Sequence, residues 1–200
     1  MPASTHSLLG SLASLLGFIL TVYMWIVVVR TLISWVSPNP YNPVVQFLAK
    51  ITDPVLSYIR RLLPVYHGGI DFSPVILILL IVFCNDFVVF SLNWLAQDRG
   101  AAGVGLIFII SLIRMIQGLL FAYMVVVFVR AILSWISPDP YNILVRFVSG
   151  LTDPVLYRIR RLVPLVFGGI DFTPWALVLV IYLANSALDR VMIMLLQAMA

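Results

Sequence analysis

Glutamate does not occur in this sequence of 200 residues, cysteine occurs once, histidine twice, and only 10% of the residues are charged. Each shortage excludes something. An acid–base site would have to be drawn from aspartate alone, and a single thiol, Cys84, allows neither a disulfide framework nor a cysteine pair for a metal. A charged fraction this low, against about 25% in an ordinary soluble domain, excludes a conventional water-soluble surface. What fills the space is apolar: 62% of the residues are hydrophobic and the mean hydropathy is +1.11. Uncharged runs are long enough to cross a bilayer. Residues 1–10 carry no basic segment, and the following apolar run continues past signal-peptide length before Arg30, so it is expected to remain as a span.

Sliding the chain by one hundred residues aligns its halves without a gap. Of the 45 positions in 30–74, 26 are identical in 130–174. Outside that block the halves are read as sharing only apolar character. The sequence is therefore divided into a first repeat, 1–100, and a second, 101–200. Across the repeat His67 faces Phe167 and Cys84 faces Ala184, while His6 stands in the tail. No haem or zinc ligand set emerges, and no cofactor is expected.

Four stretches are predicted to span: 14–36, 74–95, 114–136 and 174–196, each near the ~20 residues that a ~30 Å hydrocarbon core requires. The apolar run 104–113 reads as an interfacial or extended helical segment. The expected fold is thus an all-α membrane protein of four transmembrane helices in two parallel repeats. Each repeat carries an amphipathic two-helix loop, 37–73 and 137–173. These loops hold Lys50, Arg60, Arg61, Arg146, Arg158, Arg160 and Arg161, seven of the twelve basic residues. The positive-inside rule places the loops in the cytoplasm and both termini outside a cell inner membrane. Basic residues clustered in this way suit a membrane surface rather than nucleic acid.

Each loop opens with Ser-Pro-Asn/Asp-Pro-Tyr-Asn, whose prolines end the preceding span and whose Asn42 or Asn142 stands at an N-cap position. In the first loop Val44, Val45, Phe47, Leu48 and Ile51 recur at helical spacing. Thr-Asp-Pro predicts a restart, with Asp53 or Asp153 as cap and Pro54 or Pro154 in the first helical position. Pro64 and Pro164 predict the stop. Gly-Gly-Ile-Asp-Phe-Ser/Thr-Pro predicts a turn, then a span capped by Ser73 or Thr173. The two short helices are expected to lie under the bundle.

Arg60, Arg61, Arg160 and Arg161 are candidates for anionic lipid headgroups or an acidic partner, because guanidinium matches phosphate geometry; setting topology is the plainer reading. Asp71 and Asp171 are expected to form turns or to pair with those arginines. Arg30 and Arg130, about two turns before their spans end, either snorkel to the interface or form buried contacts with Ser34 and Ser134. Asn85, Asp86 and Asn185 fall near mid-span. Asp86 is expected to bond between helices or to line an ion path. Asp189 and Arg190, being adjacent, are expected to find separate partners.

The paired Arg-x3-Ser-Trp, Thr-Asp-Pro-Val-Leu, Ile-Arg-Arg-Leu-x-Pro and Gly-Gly-Ile-Asp-Phe-Ser/Thr-Pro pattern, present in two full copies, resembles the YggT family of bacterial and plastid membrane proteins. The resemblance implies a small multi-pass inner-membrane protein with no established enzyme activity, from a family tied to osmotic tolerance and potassium handling, to division or nucleoid organisation, and to plastid cytochrome maturation. No haem-ligating residues are present to carry the last of these over. The function expected is a non-enzymatic scaffold or assembly factor whose loops dock lipids or a membrane-protein partner. A channel-like or transport accessory role is the alternative, and a homo-oligomer would strengthen it.

Overall fold

The computed structural model describes residues 3–35, 41–62, 66–67, 70–136, 142–163, 165–167 and 170–199. Among these are six α-helices and two short hairpins, one hairpin after the second helix and one after the fifth. They are α1 (Ala3–Trp35), α2 (Pro43–Leu62), β1 (Tyr66–His67), β2 (Ile70–Asp71), α3 (Ser73–Ala96), α4 (Val104–Ile136), α5 (Ile143–Leu162), β3 (Val166–Phe167), β4 (Ile170–Asp171) and α6 (Thr173–Met199). A 3-10 turn, Ala101–Gly103, precedes α4. Each hairpin is antiparallel, with Tyr66 opposite Asp71 and Val166 opposite Asp171. The expected Ser-Pro breaks, the Pro64 and Pro164 stops and the glycine turns lie outside the described residues.

Among the described residues, four helices are long and apolar enough to cross a membrane: His6–Ile33, Ser73–Ala96, Val104–Leu133 and Thr173–Met199. The chain is a multi-pass membrane protein. The first and third spans begin earlier than the sequence suggested. The run that starts at Val104 is continuous with α4, because nothing between Val104 and Arg114 interrupts apolar helical sequence. His6 likewise lies inside α1. At 33 residues each, α1 and α4 are about 50 Å long, well beyond the ~30 Å hydrocarbon thickness.

The chain forms two compact units, Met1–Met115 with Met199–Ala200, and Ile116–Ala198. Each has its own core. In the first, Val27 of α1, Leu56 and Ile59 of α2, and Leu77 and Ile81 of α3 are buried together. In the second, Val127, Leu156, Leu177 and Ile181 are. The four positions of the second core carry the same residue as their counterparts one hundred earlier. Identity between the halves therefore extends beyond 30–74, into the spans, at the positions that close the core.

The amphipathic loop segment differs from expectation. Each is one unbroken helix rather than two, and Pro54 and Pro154 lie inside it. A proline there removes one backbone bond, but Leu48, Thr52, Leu56 and Ile59 continue a single buried face across it. The Thr52 hydroxyl donates to the Leu48 carbonyl at 2.9 Å, and Thr152 donates to Val148 at 2.7 Å, holding the turn that precedes each proline. The second half of the helix packs against Val27, Leu77 and Ile81 of its own unit, near the end of one span and the start of the next. Asn42 does act as the start: its Oδ1 accepts the Val44 amide at 2.9 Å.

Candidate membrane-interface and intramembrane sites

Two ion pairs fasten each amphipathic helix, and both recur in the two units. The first joins α2 to the entry of α3. Arg60 meets the Asp71 carboxylate through Nη2 at 2.5 Å and Nε at 2.8 Å, and Nε also donates to the Ser73 hydroxyl at 3.2 Å. The other Asp71 oxygen accepts the Ser73 amide at 2.9 Å. In the second unit Arg160 donates through Nε and Nη2 to Asp171, which accepts the Thr173 amide at 2.9 Å. Burial pushes the Asp71 carboxyl up, but the Ser73 hydroxyl and amide and the Arg60 guanidinium outweigh it and hold it below the usual carboxylate range. Asp171 is shifted the same way, burial again being outweighed by Thr173 and Arg160.

This corrects one expectation. Ser73 is not the N-cap; Phe72 holds that position without a side-chain bond, and the acceptor comes from Asp71. The two members of each Arg-Arg dipeptide have different contacts. The first arginine is consumed by the aspartate, and the second faces out: Arg61 is exposed and Arg161 lies 4.7 Å over the Tyr157 ring. All four stand in the last turn of their helices, where cations complement the carbonyl ends.

The second pair joins the amphipathic helix to the preceding span. Arg30 Nη2 lies 3.7 Å from Asp53 Oδ1, and Arg130 Nε donates to Asp153 Oδ1 at 3.3 Å. Asp53 and Asp153 are thus interior helix residues that neutralise a span arginine, not caps of a second helix. The side chains of Ser34 and Ser134, the expected partners, lie outside the described residues.

Around α2 the remaining faces are distinct. Leu48, Thr52, Leu56 and Ile59 are buried; Val44, Phe47, Val55, Tyr58 and Leu62 form an exposed apolar stripe beside them. Lys50, Ser57 and Arg61 occupy the opposite side, at the 3.6-residue period. On α5 the exposed cations are Arg146, Arg158 and Arg161.

Within the spans, Asp86 of α3 meets Arg114 of α4 at 3.5 Å. The sequence places Arg114 at the edge of a span, yet a lone cation inside an apolar run is the signal that marks it as the partner. Asn85 lies beside Gly17, where an added Cβ would stand 3.5 Å from its Oδ1 and 3.2 Å from Val89. In the second unit the matching positions are polar: Gln117 donates to the Asn185 carbonyl at 3.4 Å and to Asp189 Oδ1 at 2.7 Å. At the connector, His6 contacts the Ala96 carbonyl at 2.5 Å and Asp98 at 3.0 Å, while Trp94 donates to the Gly100 carbonyl at 3.0 Å under Arg99. Among the described residues, no three of His, Cys and Asp gather as metal ligands.

The CCB3/YggT family model matches residues 9–92 and 109–192, once in each repeat. The chain is similar to an uncharacterized protein YggT of Escherichia coli (strain K12), 32% identical over 184 residues, covering 92% of each chain. It is 29% identical to an uncharacterized protein of Haemophilus influenzae, covering 90% of this chain and 93% of the relative. An uncharacterized protein of Pseudomonas aeruginosa is 31% identical over 90% of this chain and 86% of its own. No solved structure matches.

Proposed function

This chain belongs to the CCB3/YggT family, and on that premise we propose that it is a non-enzymatic scaffold of the cell inner membrane. Its two amphipathic helices lie in the cytoplasmic interface, bind anionic lipid headgroups and dock a partner membrane protein. One observation carries this reading. In both units the helix is fastened at one ion pair to the span before it and at another to the span after it. A helix that served only as a connector would not need two such attachments, whereas a docking surface gains from being held rigid. The outward Lys50, Arg61, Arg146, Arg158 and Arg161 then meet the headgroup layer, where each is worth roughly 1 kcal/mol against an anionic surface.

The test is retention of lipid and partner by the full-length chain. Gentle solubilisation followed by affinity capture should recover anionic lipids and a stoichiometric membrane protein. Replacing Lys50, Arg61, Arg158 and Arg161 with Gln should reduce the anionic lipid while leaving the chain in the membrane. Unchanged lipid content would reduce these cations to topology signals.

A second reading, an accessory to transport in osmotic or cation homeostasis, is favoured by the half-exposed Asp86 and Arg114 within the spans. It predicts that Asp86→Asn abolishes cation flux or salt tolerance at normal abundance. Scaffolding predicts no such loss.

A further inference from the structure

We propose that this chain pairs with a second copy of itself through the intramembrane face of α3 and α4 that carries Asp86 and Arg114. Both residues lie well inside apolar helices, 13 residues from the start of α3 and 10 from the start of α4. Their side chains remain 27% and 42% exposed, and the one contact between them is 3.5 Å long. A carboxyl group has several hydrogen-bonding sites and a guanidinium donates five, so this single contact leaves most of both groups unsatisfied in a setting without water. On the same two helices Phe108 packs T-shaped against Phe83 and Phe87, each at 5.5 Å, and is itself 43% exposed. Exposed aromatic surface on the helices that carry a partly paired arginine is the composition of an interface anchor.

Charge complementarity identifies the occupant. A face bearing one Asp and one Arg at the same level is complementary to its own two-fold image: each Arg114 reaches the Asp86 of the other copy, and no different partner is required. The face also occurs once per chain. Across the repeat Ser186 replaces Asp86, Ser14 replaces Arg114, and Leu183 and Ala187 replace Phe83 and Phe87. A single self-complementary face closes at two copies rather than propagating.

The experiment uses full-length chains carrying a donor or an acceptor fluorophore at the C-terminus, co-reconstituted in vesicles at increasing lipid dilution. The wild type should keep its energy transfer over a tenfold dilution. Asp86→Arg alone and Arg114→Asp alone each place like charges across the two-fold and should lose most of it. Mixing these two variants should restore it, because opposite charges then meet only between chains, while each chain keeps a like-charged pair within itself. Failure of the mixture to exceed either variant alone, with both inserted at normal level, overturns the proposal. So does wild-type transfer that falls with dilution as random mixing requires. Should charge reversal block insertion, the neutral variants Asp86→Asn and Arg114→Gln take its place: weakened transfer is expected, and wild-type transfer in both overturns the pairing.

Discussion

Asp71 uses its two carboxylate oxygens for two different helices, one accepting the Ser73 amide that begins α3 and the other holding Arg60 at the end of α2. One side chain thereby starts a span and fixes the amphipathic helix against it. Asp171 repeats the arrangement with Thr173 and Arg160. Because both carboxyls are held below their ordinary range, the folded state favours their ionised form. Their contribution is complete above the unfolded carboxylate value of about 3.9 and is lost as pH falls through the lower folded value.

Thermal unfolding in mild detergent checks this. Asp71→Asn keeps an acceptor for the Ser73 amide but removes the ion pair, and should cost about 1 kcal/mol at neutral pH, the partial exposure of the pair limiting its worth. Asp71→Asn with Asp171→Asn should cost roughly twice that, the two sites lying in separate cores and adding. Near pH 2 the difference from wild type should shrink. A variant as stable as wild type at pH 7 would mean that the ion pair contributes nothing net.

Gly103 is required by contact rather than by backbone conformation. A Cβ there would stand 2.5 Å from the Trp94 ring, and Trp94 is buried, bonded to the Gly100 carbonyl and stacked under Arg99. Gly103→Ala should therefore displace the indole and destabilise the connector by about 1–3 kcal/mol, the usual range for overpacking. Trp94 fluorescence, read in a variant lacking the other tryptophans, should shift with it. Gly105→Ala meets nothing within 4 Å and is the control, expected to leave stability unchanged.

The spans and the duplication were legible in the sequence because each rests on a pattern: apolar length, or identity at fixed offset. The continuity of α2 through Pro54 was not. Local rules read Thr-Asp-Pro as a beginning, and only the burial of Leu48, Thr52, Leu56 and Ile59 on one face outweighs them. The identity of Val27 with Val127, or of Ile81 with Ile181, carries no signal in the sequence alone, since one apolar residue in a span looks interchangeable with another until the core shows which are enclosed. Asp53 and Arg30 could not be paired from sequence, because no local spacing relates a span to a helix that folds back along it.

Topology follows from the charge distribution and has its own test. The basic residues of α2 and α5 predict that both loops face the cytoplasm and that the C-terminus lies outside. Reporter fusions after His67 and after Phe167 should report the cytoplasm, and a fusion at the C-terminus should report the opposite side. A cytoplasmic C-terminus would reverse the assignment and remove the headgroup role of Arg61 and Arg161.

The two units solve one packing position differently, and the difference can be exchanged. In the first, Gly17 admits Val89 of α3; in the second, Gln117 reaches Asp189 of α6 at 2.7 Å. Gln117→Gly should leave the Asp189 carboxylate without its donor, and Asp189→Val should leave the Gln117 amide without its acceptor, each lowering stability because an unsatisfied polar group in a span is costly. The double variant recreates the apolar contact of the first unit and should recover much of the loss. A double-mutant cycle by thermal unfolding should thus give a coupling of about 0.5–2 kcal/mol in favour of the matched pairs. Losses that simply add would mean that Gln117 and Asp189 do not act on one another, and that the polar residues of the second unit serve something other than packing.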